Sequence, residues 1–162
     1  MNIAETLCKT FCDGVAVDET TSGFVLSTPF EDPAGDRITF YLVRDQDGER
    51  FRLEDDGSLV PTLIAMGANV TEGQRKRLFD AILRQTGVEY DNGSGELKTA
   101  PVDESEIPSA AIRFLSMLNR VAALSAMRPE MVMSTFREDA VRRIRAELSG
   151  KVHITEGDSR CN

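Results

Sequence analysis

Apolar residues recur every four positions at the start of the chain. Ile3, Leu7 and Phe11 share one face of a helix with Ala4 and Cys8 beside them, and Asp13-Gly14 supplies the stop. The period then changes to two. Val15-Ala16-Val17 and Phe24-Val25-Leu26-Ser27-Thr28 read as strands joined by the turn Thr20-Thr21-Ser22-Gly23. Pro29 and the segment Glu31-Asp32-Pro33-Ala34-Gly35-Asp36 predict a loop. Ile38 to Val43 is a β-branched and aromatic strand, and Asp45-Gln46-Asp47-Gly48 is a hairpin turn. Phe51 and Leu53 alternate with Arg50, Arg52 and Glu54, the pattern of a half-buried strand. Residues 15–55 therefore predict an antiparallel sheet of four strands.

Helical periodicity returns after Asp56-Gly57. Ser58 is placed to cap a short helix that carries Pro61 in its first turn and stops at Gly67. Thr71 and Gln74 match a capping box for a second helix, with Leu78, Phe79, Ile82 and Leu83 on its inner face. Val88-Glu89-Tyr90 and Glu96-Leu97-Lys98 flank the turn 91–95 as a further hairpin, which either extends the sheet or stands as a separate ribbon. Ile107, Ala111, Phe114, Leu118 and Val121 then mark one face of a long helix, and Arg128-Pro129 ends it. Val132, Phe136, Ala140, Ile144 and Leu148 continue as a final helix. The fold class is α+β: an antiparallel sheet packed on helices, with a C-terminal helical hairpin. Residues 1–100 make the α+β part, 101–150 the helical hairpin packed on the same domain, and 151–162 a flexible tail.

Charge changes this picture more than composition does. The net charge is -8, and all of the excess falls in residues 1–60, where 13 acids face 5 bases; residues 61–162 carry 14 of each. Such a first third repels a phosphate backbone and is compatible with a basic partner or nucleic-acid mimicry, while the simpler reading is a solvated acidic face that keeps the protein in solution. No apolar run approaches a membrane span, and Glu5 and Lys9 spoil a signal peptide, so a cytoplasmic protein without membrane attachment is expected. Cys8 and Cys12 lie on one helical face as reduced, partly buried thiols; with Cys161 they make no disulfide framework. His153 is the one histidine, which leaves zinc short of ligands.

The clustered carboxylates invite a catalytic reading. Asp36, Asp45, Glu54, Asp55 and Asp56 sit at strand ends, where acids hold Mg²⁺ in phosphodiesterases, and Lys98 is available to join them. Acids beside glycine are also what turns and helix caps require, and a cap formed by Asp55 or Asp56 is the simpler explanation. Neither GxGxxG nor GxxxxGK[ST] occurs, no nucleophile motif is present, and no cofactor is predicted. Two basic clusters, Arg75-Lys76-Arg77 and Arg142-Arg143-Ile144-Arg145, lie on amphipathic helices and offer a nucleic-acid reading, against the alternative of pairing with nearby acids.

The runs Phe11-Cys12-Asp13-Gly14, Ser27-Thr28-Pro29-Phe30, Phe40-Tyr41-Leu42-Val43 and Leu53-Glu54-Asp55-Asp56-Gly57 resemble the bacterial and phage domain of unknown function 1828. Leu63-Ile64-Ala65-Met66-Gly67, Gly87-Val88-Glu89-Tyr90 and Ser134-Thr135-Phe136-Arg137-Glu138-Asp139 fit as well, so the resemblance covers about residues 3–148. It implies no particular chemistry. It also implies that longer relatives continue into a second domain lacking here, which leaves a recognition or regulatory half. The expected function is accordingly a non-catalytic macromolecule-binding module, an inhibitor or antitoxin-like protein in phage–host conflict. A metal-dependent nuclease and a nucleic-acid binder are the alternatives. The candidate interaction residues are Glu31, Asp32, Asp36, Asp45, Asp47, Glu54, Asp55 and Asp56 on the sheet-end loops, with Arg137, Arg142, Arg143 and Arg145 on the final helix. The expected partner is a protein, basic in character; the oligomeric state stays open, a dimer included.

Overall fold

A computed structural model describes residues 2–45 and 47–127, together with Val141 and Ile144. The chain falls into two units, Met1–Met127 and Arg128–Asn162. In the second, only Val141 and Ile144 are described; both are helical and exposed. The expected final helix, its arginines Arg137, Arg142, Arg143 and Arg145, and the expected tail otherwise lie outside the described residues.

The first unit runs α1 (Ile3–Asp13), β1 (Ala16–Thr20), β2 (Gly23–Glu31), β3 (Arg37–Arg44), β4 (Phe51–Glu54), α2 (Leu59–Ala65), α3 (Gly73–Thr86), β5 (Val88–Tyr90), β6 (Leu97–Thr99) and α4 (Ile107–Ala122). All strand pairs are antiparallel, in the order β1-β2-β3-β4-β6-β5. The second hairpin thus extends the sheet to six strands, with β6 inserted beside β4. The α+β class holds, and α4 belongs with the sheet: Phe114, Met117, Leu118 and Val121 are buried in the same core as Phe40 and Leu53. The rings of Phe40 and Phe114 meet edge to face at 5.5 Å.

Three local expectations are corrected. Pro29 does not end its strand. β2 continues to Glu31 through a register shift between Ser27 and Glu31, because a bulge accommodates a residue that cannot donate to the ladder. Thr28, buried there, donates its hydroxyl to the Ile38 carbonyl at 2.9 Å and accepts the Phe30 N–H. No capping box forms at Thr71 and Gln74. α3 starts at Gly73 after Glu72, and Thr71 instead bonds to the Asn69 side chain through both its N–H and its hydroxyl. Leu78 is largely exposed, leaving Phe79, Ile82 and Leu83 as the buried face of α3.

Candidate functional site

The sheet-end carboxylates divide into two groups. Asp32, Asp36, Asp55 and Asp56 line one cavity of about 170 Å³ with Arg37, Thr39, Tyr41, Ser58 and Thr62. Asp45, Glu54, Glu31 and Asp47 do not line it. Glu54 accepts both Arg52 Nε (3.0 Å) and Nη2 (2.8 Å) on a single oxygen. Asp45 accepts the Arg50 N–H and pairs with its guanidinium at 3.5 Å, closing the hairpin turn. Lys98 pairs with Asp91 at 3.0 Å and with Glu96 at 3.7 Å; both acids belong to its own hairpin.

Two of the cavity acids, Asp55 and Asp32, already have structural work. Asp55 is completely buried, and both its oxygens accept backbone N–H groups. Oδ1 takes Leu97 at 2.7 Å and Gly57 at 3.2 Å, and Oδ2 takes Leu59 at 3.3 Å. One carboxylate thus ties the end of β4 to β6 and caps α2. The cap expected from Ser58 is made by Asp55, while the Ser58 hydroxyl donates to the Asp55 carbonyl. Burial raises the Asp55 pKa above the usual carboxylate value, against the lowering effect of its three N–H donors. Asp32 shapes the β2–β3 loop by accepting the N–H groups of Ala34 (2.8 Å) and Asp36 (3.0 Å). Asp56 has φ +55°, and its charge bears on the Tyr41 phenol. Among the described residues, no three His, Cys, Asp or Glu side chains come together as metal ligands.

Tyr41 is a cavity residue that the carboxylate pattern does not reveal. Its phenol is pushed up, first by burial and then by the charge of Asp56. Tyr90 is pushed up as well, by burial and then by Asp55 and Asp91. The chain has two tyrosines and no tryptophan, so absorbance near 295 nm follows these two phenols alone. Both are expected to ionise above 10.0 in the folded protein. Asp56→Asn is expected to lower the Tyr41 step and leave the Tyr90 step in place. Because folding raises both values, the stability linked to them is full below 10.0 and is lost as pH climbs through the folded values.

The basic cluster on α3 is also engaged within the fold. Arg75 donates to the Leu124 and Met127 carbonyls, and Lys76 pairs with Asp80 one turn on. The Lys76–Asp80 pair is of the kind expected when a basic helix face pairs with nearby acids, whereas Arg75 bonds main-chain carbonyls instead.

The opposite flank of the sheet is different. The row Val17–Leu26–Phe40 is directly paired across three strands. Its exposure rises outward from 2% at Phe40, through a half-buried Leu26, to 57% at Val17. The core face runs out at β2, and every residue of β1 is exposed. α1 has no buried residue at all: Ile3, Leu7 and Phe11 stand 66%, 54% and 61% exposed. Cys8 and Cys12 are exposed too, contrary to their expected partial burial. The helix forms by local means, with Asn2 accepting the Glu5 N–H, and presents a full apolar stripe that nothing covers among the described residues.

No curated protein and no solved structure matches the chain. The family model for a domain of unknown function, DUF1828, matches residues 28–121, from the β2 bulge through most of α4. That span takes in the core and the carboxylate cavity and covers more than half of the sequence, so the chain belongs to the DUF1828 family.

Proposed function

We propose that this protein is a non-catalytic module that binds another protein, with α1 as its primary docking element. The observation that carries this reading is the uncovered Ile3–Leu7–Phe11 stripe. Each such side chain, if fully buried by a partner, contributes about 1.5–3 kcal/mol. A helix laid by its apolar face into a groove is a recurring mode of recognition. The acidic excess of residues 1–60 supports a basic partner and an inhibitor or antitoxin-like role, since opposite charge steers encounter and discriminates among partners.

The test uses Leu7→Asp/Phe11→Asp. Neither side chain contributes to the core, so the melting temperature should stay within about 2 °C of wild type. Proteins captured from native lysate by the wild-type chain should be lost. Ile112→Asp is the control, because Ile112 is a 72% exposed apolar residue on α4 and should retain capture. An unchanged set of captured proteins with the α1 variant would refute the role of the stripe.

A further inference from the structure

We infer that the free edge of β1 accepts an extended, basic segment of a protein partner as a seventh strand. The inference rests on the macromolecule-binding reading and specifies the chemistry of the partner.

β1 is the terminal strand and pairs only with β2, so its outer backbone edge meets no strand among the described residues. Unpaired N–H and C=O groups on such an edge are a template for another strand. Edges are commonly blunted by short length, proline, a bulge or charged side chains, lysine above all; the charges here are Asp18 and Glu19, which turn away an acidic strand and admit a basic one. β1, Ala16-Val17-Asp18-Glu19-Thr20, has no proline or lysine, and its five residues pair with β2 in unbroken register. What marks it is negative charge.

Side-chain register sets what each face of an added strand must carry. Val17 and Glu19 stand opposite Leu26 and Phe24, which stand opposite the buried Phe40 and Leu42. Val17 and Glu19 therefore share the core-bearing face. Asp18 projects from the other face, since successive residues alternate. A complementary strand places a cation against Asp18 on one face, and an apolar residue against Val17 with a second cation against Glu19 on the other.

Charge also decides against a second copy as the occupant. Antiparallel self-pairing centred on Asp18 sets Asp18 opposite itself, and like charges directly opposite are destabilising. Any slipped register still gathers two Asp18 and two Glu19 carboxylates in a five-residue ladder without a base. The surroundings reinforce this. Between residues 1 and 31 the acids are Glu5, Asp13, Asp18, Glu19 and Glu31, and Lys9 is the one base. α1 joins β1 through Gly14-Val15 alone, so the apolar stripe and the acidic edge lie next to each other along the chain.

The test uses the full chain and three labelled decapeptides: a Lys–Val peptide of Lys-Lys-Val repeats, which sets cations against Glu19 and Asp18 and an apolar residue against Val17, the same peptide N-methylated at every residue, and a Glu–Val peptide of Glu-Glu-Val repeats. The Lys–Val peptide should bind, measured by fluorescence anisotropy, and should slow amide hydrogen exchange in residues 16–20. The N-methylated peptide keeps the charge and cannot complete the ladder, so it should bind at least about tenfold more weakly. Asp18→Lys/Glu19→Lys, two exposed substitutions, should weaken Lys–Val binding about tenfold and favour the Glu–Val peptide. Equal binding of the N-methylated peptide, or binding without protection of residues 16–20, would overturn the inference. So would loss of all peptide binding while Leu7→Asp/Phe11→Asp still abolishes partner capture. In that case the protein-binding reading survives; if capture is also insensitive to α1, both fall.

Discussion

Asp55→Ala should cost about 3–5 kcal/mol, a large share of a typical domain's stability. The three N–H groups that Asp55 satisfies, on Gly57, Leu59 and Leu97, come from three separate pieces of structure. Alanine leaves all three without an acceptor at a completely buried position. An unsatisfied buried donor costs about 1–3 kcal/mol, and β6 also loses the contact that seats it beside β4. Urea unfolding followed by circular dichroism reads the change directly. Asp55→Asn is the informative companion. One carbonyl oxygen can keep the Leu97 and Gly57 bonds while the Leu59 cap is lost, for about 1–2 kcal/mol.

Asp55 also gives a pH signature. Burial raises its folded pKa above 3.8, so the folded state holds this proton more tightly than the unfolded chain does. The stability linked to it is full below 3.8 and is lost as pH rises through the folded value. The stability gap between wild type and Asp55→Asn should therefore narrow as pH rises through that window. Asp91 acts with the opposite sign. Lys98 first, then the Gly93 and Ser94 N–H groups, hold its pKa down, so its contribution is present above 3.8 and is lost as pH falls through the folded value.

Gly23→Ala is the second large effect, at about 3 kcal/mol or more. Gly23 opens β2 with φ +151°, and a Cβ there would lie 1.8 Å from the Leu42 carbonyl oxygen. That oxygen is β3 backbone, so relief requires the β2–β3 ladder to separate at the end where Gly23 faces Val43. Gly35 isolates the conformational part of the cost. It has φ +91° in the β2–β3 loop, and a Cβ would meet nothing within 4 Å. Gly35→Ala should therefore cost only about 1–2 kcal/mol, all of it backbone strain. Thermal melts of the two variants side by side separate collision from strain.

The contrast between local and non-local causes also explains how much of the molecule is legible in its sequence. The strand Arg37–Arg44 follows from its β-branched and aromatic run, and the helix Ile107–Ala122 from its period of 3.6 residues, although the α-helix stops at Ala122, short of the end expected at Arg128-Pro129. The passage of β2 through Pro29 does not follow, because it depends on a bulge held by Thr28 to a carbonyl ten residues away. The seating of β6 between β4 and β5 depends on Asp55 reaching Leu97, 42 residues on. Sequence offers Ser58, Asp55 or Asp56 as the helix cap and leaves the reach of Asp55 to Leu97 unseen. It also groups the sheet-end acids as one set, whereas the fold sends Asp36, Asp55 and Asp56 to a shared cavity and Asp45 and Glu54 to arginine partners. Tyr41 enters that cavity from a strand whose pattern speaks only of packing. For α1, amphipathicity reveals that an apolar face exists and is silent about what covers it.

Photo-crosslinking tests the central claim about α1 most directly. A benzophenone side chain at position 7 reports on whatever touches the stripe, and one at position 112 reports on an exposed apolar position elsewhere on the same unit. Irradiation in native lysate should give a discrete crosslinked protein from position 7 and none from position 112. Excess wild-type chain should compete the product away, and excess Leu7→Asp/Phe11→Asp should not. No product from position 7, or the same products from both positions, would contradict the assignment of α1 as the docking element.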